Sequence, residues 1–318
     1  MRPARVSSVY GIRVVLWTEP ETDIIAAVRM RANREAPVEG GVAVGDWVLM
    51  APDEVVVEKI LKRKTVLLRQ AAGERAEPQA IAANVDRVLV ATSLEPNGDF
   101  KLRRLERYML AIRSGGAEPI VLLGKSDLCA DLAPFLADVA KLDARYVIAS
   151  ARTGDGIEEL RALVPAGTTT VMVGSSGVGK SALTNFLLGR QQQILGDVRA
   201  SDRRGKHTTT RRSLFVVPGG GLLVDTPGMR ELKPWQAEGD AFDDVVALAS
   251  SCRYSDCRHE NEPDCAVRGV VDSERLASWE KLRQEKKLTY DRQATHATVD
   301  ENRRSRAYTT AQRKDRGR

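Results

Sequence analysis

The chain is predicted to fold as three domains: an N-terminal β-barrel, a central α/β P-loop domain, and a C-terminal zinc-binding α-helical module. Up to Arg69 the apolar residues fall in short Val- and Ile-rich runs without a helical period. From Asp86 strand-like and helix-like segments alternate around the glycine loop Gly174–Ser181, GSSGVGKS. Finally, Cys252, Cys257, His259 and Cys265 stand within 14 residues. The expected boundaries are 1–72, 80–234 and 235–318.

Composition narrows the class. The 318 residues are 42% hydrophobic and 29% charged, the balance of an ordinary globular protein. The first residues, MRPARVSSVYGIRVVL, lack the continuous apolar core of a secretory signal, and no apolar run approaches the length of a membrane span. A cytoplasmic protein without membrane contact is expected. Three of the four cysteines lie between 252 and 265, which suits a metal site better than a disulfide framework. The formal charge is +6, but from Arg275 onward there are 13 Lys or Arg against 6 Asp or Glu, a net of +7. The remainder is therefore about −1, so a polyanionic partner is expected at the C-terminal part.

In the N-terminal stretch, Val9–Trp17, Asp23–Met30, Asp46–Met50 and Glu54–Ile60 read as strands separated by Glu19-Pro20, Gly40-Gly41 and Pro52-Asp53 turns. A five-stranded OB-type barrel fits this length, and an SH3-like barrel fits the same pattern. Arg29, Arg31, Arg34, Lys59, Lys62, Arg63, Lys64 and Arg69 could contact phosphates if they share a face, or could simply be solvated. Residues Ala71–Gln79 read as a linker.

Six apolar strands follow: Arg87–Ala91, Pro119–Leu123, Arg145–Ala149, Thr169–Val173, Ser213–Val217 and Gly221–Val224. Helices are expected at Phe100–Arg113 behind Asp99 as N-cap, at Leu132–Lys141, at Gly156–Leu163 and after the glycine loop. This alternation predicts a largely parallel sheet with ligand loops at the carboxyl ends of its strands.

Those ends carry the chemistry. Gly174, Ser175, Ser176, Gly177, Val178, Gly179, Lys180 and Ser181, with Ala182 next, form a P-loop between a strand and a helix. Its backbone N–H groups can cradle phosphates, Lys180 can reach the β- and γ-phosphates, and Ser181 can ligate magnesium. Asp225-Thr226-Pro227-Gly228 reads as DxxG, with Asp225 holding magnesium through water and the Gly228 N–H facing the γ-phosphate. Thr208, in Gly205–Thr210, is of the kind that closes on magnesium, and order in these two loops would form the switch. Gly124-Lys125-Ser126-Asp127 stands where GTPases carry NKxD, and Ser150-Ala151 resembles the element that backs the base. A carboxylate at Asp127 can accept two hydrogen bonds from guanine that adenine does not offer.

The order KxD, SA, P-loop, threonine loop, DxxG differs from Ras-like GTPases, where the P-loop comes first. The domain reads as circularly permuted, with Val164–Thr168 as the joint. Beyond it, three thiols and one imidazole suit tetrahedral structural zinc at Cys252, Cys257, His259 and Cys265. Cys129 reads as an ordinary core or loop residue. Ser273–Tyr290 reads as a helix with Leu276, Trp279 and Leu282 on one side, followed by a tail without apolar periodicity from about Asp291.

The permuted order, GKHTTT, DTPGMREL and CRYSDCRHENEPDCAV, set between a β-barrel and a basic tail, resemble the ribosome small subunit-dependent GTPase A family over nearly the whole chain. The resemblance implies an OB fold, GTP as substrate with GDP as product, zinc at the cysteine cluster, and a partnership with the small ribosomal subunit and its rRNA during late maturation. A monomer is expected. Two positions depart from GTPase patterns. Gly124 replaces the usual Asn, removing polar contacts, so weaker nucleotide binding is expected by roughly 1 to 3 kcal/mol. Met229 stands where Ras-like enzymes orient water with glutamine, so slow intrinsic hydrolysis and stimulation by the ribosome are expected. His207 is the candidate for the missing polar group, its rival role being an rRNA-contacting or solvent-exposed histidine. Two other functions compete: an rRNA-binding scaffold in which turnover is incidental, and a P-loop ATPase, which Asp127 disfavours.

Overall fold

The computed structural model describes residues 1–10, 13–28, 40–52, 54–70, 78–96, 98–189, 212–226, 242–285, 287–288 and 290–291. By internal contact the chain divides into a unit of Met1–Arg69 with Gln79–Ala241 and a second of Gln70–Pro78 with Phe242–Arg318.

The first unit opens with strands β1 (Arg2–Tyr10), β2 (Arg13–Trp17), β3 (Asp23–Val28), β4 (Trp47–Met50) and β5 (Val56–Ile60). They pair in the order β1-β2-β3-β5-β4, and β4 returns to β1, closing a five-stranded barrel. Only β3 and β5 run parallel. Ala4, Val6, Val14, Leu16, Ala26, Val48, Met50, Val57 and Ile60 fill its interior. The run Val9–Trp17, expected as one strand, is the end of one strand and the whole of the next, because the chain reverses after Tyr10 and pairs Val9 with Val14.

Arg63 corrects the list of phosphate contacts. It is 6% exposed, and its Nε and Nη2 donate to the two carboxylate oxygens of Asp46 at 2.7 and 2.8 Å. Nη2 also donates to Gly41 O at 2.5 Å. An arginine sealed against a carboxylate staples the barrel and is lost to RNA. Lys59, Lys62 and Lys64 are exposed, while Arg29, Arg31 and Arg34 lie outside the described residues. Two further strands, β6 (Val66–Gln70) and β7 (Pro78–Ala83), form a separate pair, so Pro78 and Gln79 of the expected linker are strand; 71–77 lie outside the described residues.

All six strands expected of the α/β domain are present: β8 (Arg87–Ser93), β9 (Glu118–Gly124), β10 (Arg145–Ala149), β11 (Thr169–Gly174), β12 (Ser213–Val216) and β13 (Leu222–Asp225). Their order is β10-β9-β8-β11-β13-β12, parallel except for β12. Helices α1 (Leu102–Ser114), α2 (Ala133–Ala140), α3 (Ile157–Ala162) and α4 (Lys180–Leu188) cover it. Alternation along the strands divides the core: Val88, Val90, Val121 and Leu123 pack with α1 residues such as Met109 and Ile112. Leu89, Ala91, Ile120 and Leu122 pack with Leu160 of α3 and Leu183 of α4. Burial on both faces explains why these strands read as continuous apolar runs.

Asp99 is not the cap of α1. Lys101 holds the cap position without a side-chain cap, and Asp99 instead pairs with Arg104 at 2.7 Å. The permutation joint is a turn in which Thr168 N donates to Pro165 O at 3.2 Å and Gly167 adopts φ +78°. Strand β1 also joins this sheet through β12, with Ser8 opposite Ser213.

In the second unit, α5 (Asp243–Ser250) precedes the cysteine segment and a helix over 273–285, α6, follows it. Arg275 ties the two by donating to Asp244 Oδ1 at 2.8 Å. Among the described residues no helix is long and apolar enough to cross a membrane.

Candidate nucleotide-binding site and metal centre

Parallel pairing brings the carboxyl ends of β8, β9, β10, β11 and β13 to one edge of the sheet. Register fixes this: Gly124 lies opposite both Ser93 and Ala149, Gly174 opposite Ala91, and Asp225 opposite Met172. Four of the five sequence motifs are thereby brought together, at least in part.

The P-loop leaves β11 at Gly174. A Cβ there would lie 2.3 Å from Ala91 O, so only glycine lets the two strands approach. Gly177 and Gly179 face open space but adopt φ +88° and +97°, left-handed values that glycine takes without strain. Ser176 and Gly177 are exposed and Val178 is buried. Ser181 and Ala182 lie in the first turn of α4, whose backbone N–H groups and dipole favour an anion. Lys180 is buried and folds over the loop, its Nζ donating to Gly174 O at 2.7 Å and Ser175 O at 2.5 Å. Nearby, the buried Thr226 donates to Met172 O at 2.6 Å, which holds the start of DxxG against the P-loop strand. Asp225, beside it, is also buried.

Lys125, Ser126 and Asp127 follow β9 in one turn of 3-10 helix over Ser126–Leu128, entered through Lys125 at φ +58°. Ser150 Oγ donates to Asp127 Oδ1 at 2.5 Å and Arg152 Nε to Oδ2 at 2.7 Å. The Ser150 bond, ahead of Arg152 and against desolvation, holds the carboxyl below the usual range. Ser150 also accepts from the Arg152 and Thr153 N–H groups, fixing the loop that carries Ala151. Lys125 Nζ donates to Glu95 Oε1 at 2.7 Å, and this bond holds the Glu95 carboxyl below its ordinary value.

Gly124 sits where the two loop systems meet. A Cβ on it would lie 3.1 Å from Val178 O of the P-loop and 3.4 Å from Thr92 O. Without a side chain the P-loop carbonyl settles against the end of β9, so an asparagine here would need the loop to give by a few tenths of an ångström. Sequence reasoning missed Glu95 and Arg152, which pair with Lys125 and Asp127 across 30 and 25 residues and carry no local signal. His207, Thr208, Gly228 and Met229 lie outside the described residues, as does the rest of Gly205–Thr210.

The metal centre belongs to the second unit. Its four side chains converge, with all ligand atoms of Cys252, Cys257, His259 and Cys265 within 4.8 Å of one another. His259 Nδ1 lies 3.6 Å from Cys252 Sγ and 3.4 Å from Cys265 Sγ, and those two sulfurs are 4.0 Å apart. A tetrahedral zinc with sulfur at about 2.3 Å and nitrogen at about 2.0 Å spaces its ligands by roughly 3.5 to 3.8 Å. The cluster is therefore compatible with zinc. Burial pushes the Cys257 thiol up to about 11. Burial acts on Cys265 too, but the Arg268 N–H and then His259 outweigh it and draw that thiol down to about 6. His259 is 5% exposed, at φ +62°, with its ring 5.5 Å from that of Trp279 on α6. Arg283 stacks on the same indole at 4.6 Å.

Comparison with known proteins agrees with this architecture. Residues 60–235 match the family model described as RsgA GTPase. The small ribosomal subunit biogenesis GTPase RsgA of Xanthomonas axonopodis pv. citri (strain 306) is 43% identical over 305 residues, covering 92% of this chain and 83% of that protein. The protein of the same name from Xylella fastidiosa (strain M23) is 43% identical over 295 residues, covering 89% and 88%. Among solved structures, YjeQ from Thermotoga maritima aligns with TM-score 0.57 at 26% identity, covering 89% of this chain and 98% of that one. YloQ, described as a circularly permuted GTPase, aligns with TM-score 0.56 at 21% identity over 90% and 95%, a likeness of fold. The permuted sheet, the motifs gathered at its edge and these relatives together show that the chain belongs to the RsgA GTPase family.

Proposed function

We propose that this GTPase couples GTP hydrolysis to late maturation of the small (30S) ribosomal subunit, binding the subunit's rRNA and turning over quickly only on that particle. The observation that carries the guanine assignment is the Asp127 carboxylate, held ionised by Ser150 at the same sheet edge as the P-loop. The names of the relatives from Xanthomonas and Xylella support the partner.

In this reading Gly174–Ala182 bind the phosphates, with Lys180 leaving the Gly174 and Ser175 carbonyls for the β- and γ-phosphates. Lys125 and Ser126 shape the base loop, Asp127 reads guanine, and Ser150 and Ala151 back it. Gly124 adds no polar contact of its own. Ser181, Asp225 and Thr208 would hold magnesium, which neutralises charge developing on the phosphates. The Gly228 N–H faces the γ-phosphate, and His207 supplies the polar group that Met229 lacks. Cys252, Cys257, His259 and Cys265 would hold one structural zinc, which fits their spacing. The protein works as a cytoplasmic monomer.

Hydrolysis measured alone and with small subunits, large subunits and intact ribosomes tests this reading. Acceleration by small subunits is expected, and its loss in His207→Ala is expected if that residue acts in catalysis. Equal rates under all conditions would favour a scaffold whose turnover is incidental.

A further inference from the structure

Two arginines at the root of the threonine loop stand out from the other cations of the first unit. Arg69, at the end of β6, donates through both Nε and Nη2 to one acceptor, Gln79 Oε1, at 2.9 and 2.8 Å. Among the described residues Arg212, the residue before β12, makes one long bond, from Nη1 to Ala80 O at 3.4 Å. Gln79 and Ala80 are neighbours on β7, so the two side chains converge on one short stretch of strand. No carboxylate pairs with either arginine among the described residues, unlike Arg5, which Asp86 and Asp46 attend, or Arg63, which Asp46 clasps. Both residues are half-buried, and among the described residues neither has a guanidinium nitrogen that is buried without a partner. Burial lowers Arg69, and burial with the charge of Arg69 brings Arg212 down to about 10. A guanidinium nevertheless keeps its proton near pH 7. Two partly desolvated like charges that no carboxylate among the described residues offsets form a cost that a bound anion would relieve.

We propose that Arg69 and Arg212 form a phosphate-binding site for the RNA backbone. The forked donors of two guanidiniums match the oxygens of a phosphodiester, and a basic protein whose relatives are named for small-subunit biogenesis meets that anion in RNA. Arg212 leads directly into Ser213, which pairs with Ser8 of the barrel. RNA held here would thus be anchored where the chain returns from Thr208 to the sheet. This inference rests on the small-subunit reading above for the source of the RNA.

The test uses the full chain carrying Arg69→Gln, Arg212→Gln or both, with Arg→Lys at each position as the charge-conserving control. Binding to purified small subunits in the presence of a non-hydrolysable GTP analogue is measured over a salt series. The double glutamine variant should bind about tenfold more weakly near 0.1 M salt, with the slope of log affinity against log salt shallower by about 1. The lysine variants should keep the wild-type slope. Wild-type slope and affinity in the double variant, with its melting temperature unchanged, would overturn the site. Should the double variant fail to fold, the two single variants decide, each expected to lower the affinity and overturning the site if neither does. If the wild type itself does not bind small subunits, the partner reading falls. The same variants on a 20-base-pair RNA duplex then decide the site by the same criterion. Inorganic phosphate raising the melting temperature through Arg212, with RNA binding untouched, would mark a free-anion site and overturn the RNA assignment.

Discussion

Ser150 Oγ donates to Asp127 Oδ1 at 2.5 Å, joining the loop after β10 to the loop after β9 and orienting the carboxylate. A base-reading group is useful only if its charge and direction are fixed before the base arrives. Asp127→Asn replaces an acceptor pair by one acceptor and one donor. It should weaken GTP by about 100-fold or more and favour xanthosine triphosphate, whose C2 oxygen accepts from the new amide. Comparing GTP, XTP and ATP titrations of wild type and variant checks this, and equal GTP and ATP affinities in the wild type would remove guanine selectivity.

Because the Asp127 carboxyl is held below its ordinary range, first by Ser150, it stays ionised throughout neutral and mildly acidic solution. The direction of the shift fixes the sign: a depressed carboxyl contributes fully above the free value of about 3.9 and loses that contribution as pH falls further. Affinity for GDP should therefore be flat from about pH 8 to about pH 5 as far as this group is concerned. Calorimetry across that range checks it. A midpoint near pH 6 abolished in Asp127→Asn would contradict the assignment.

Gly124 separates a steric from a polar effect. Its missing Cβ lets Val178 O approach to within 3.1 Å of the Cβ position, so Gly124→Ala should weaken GTP slightly by pushing the P-loop. Gly124→Asn suffers the same push but adds an amide between the two loops. It should bind GTP more tightly than the alanine variant by roughly 1 to 3 kcal/mol. Fluorescent-nucleotide titration of both variants decides, and equal affinities would show that the amide finds no partner.

Much of the architecture was legible in the sequence because it is written locally. The six sheet strands are apolar runs, and four of the five site motifs follow one of them directly. What escaped depends on the far side of the fold. Arg63 looks like its neighbours Lys62 and Lys64, and only the return of Asp46 on the closing barrel shows that it is buried. Glu95 and Arg152 became site residues because parallel pairing set their loops beside Lys125 and Asp127. Between Tyr10 and Arg13 the sequence holds only Gly11 and Ile12, a single breaker, so the β1–β2 hairpin read as one run.

The buried pair gives a stability prediction. Arg63 and Asp46 have side chains 1% and 0% exposed, so removing one partner leaves a charge uncompensated. Arg63→Ala should cost about 3 to 5 kcal/mol. Replacing both, as Arg63→Met with Asp46→Leu, should recover much of that loss, although Asp46 also accepts from the Ala43 N–H. Denaturant unfolding of the wild type and the two variants checks the ordering. A single variant as stable as wild type would show that the barrel does not depend on the pair.

For the metal centre, the purified chain should contain one zinc per molecule, and Cys265→Ser should hold much less than one. Stripping the ion with a chelator should raise hydrogen exchange across 252–282, since His259 links the cluster to Trp279. Elemental analysis and exchange mass spectrometry provide the two readings. Unchanged exchange after metal loss would show that the side chains hold together without it.

The proposed function requires the small ribosomal subunit to accelerate hydrolysis at the nucleotide site. Single-turnover GTP hydrolysis, with enzyme in excess over nucleotide and with or without purified small subunits, tests it most directly. A slow rate alone and an acceleration of about 10³-fold on small subunits, absent with large subunits, is the expected result. The same rate in all three conditions would contradict it.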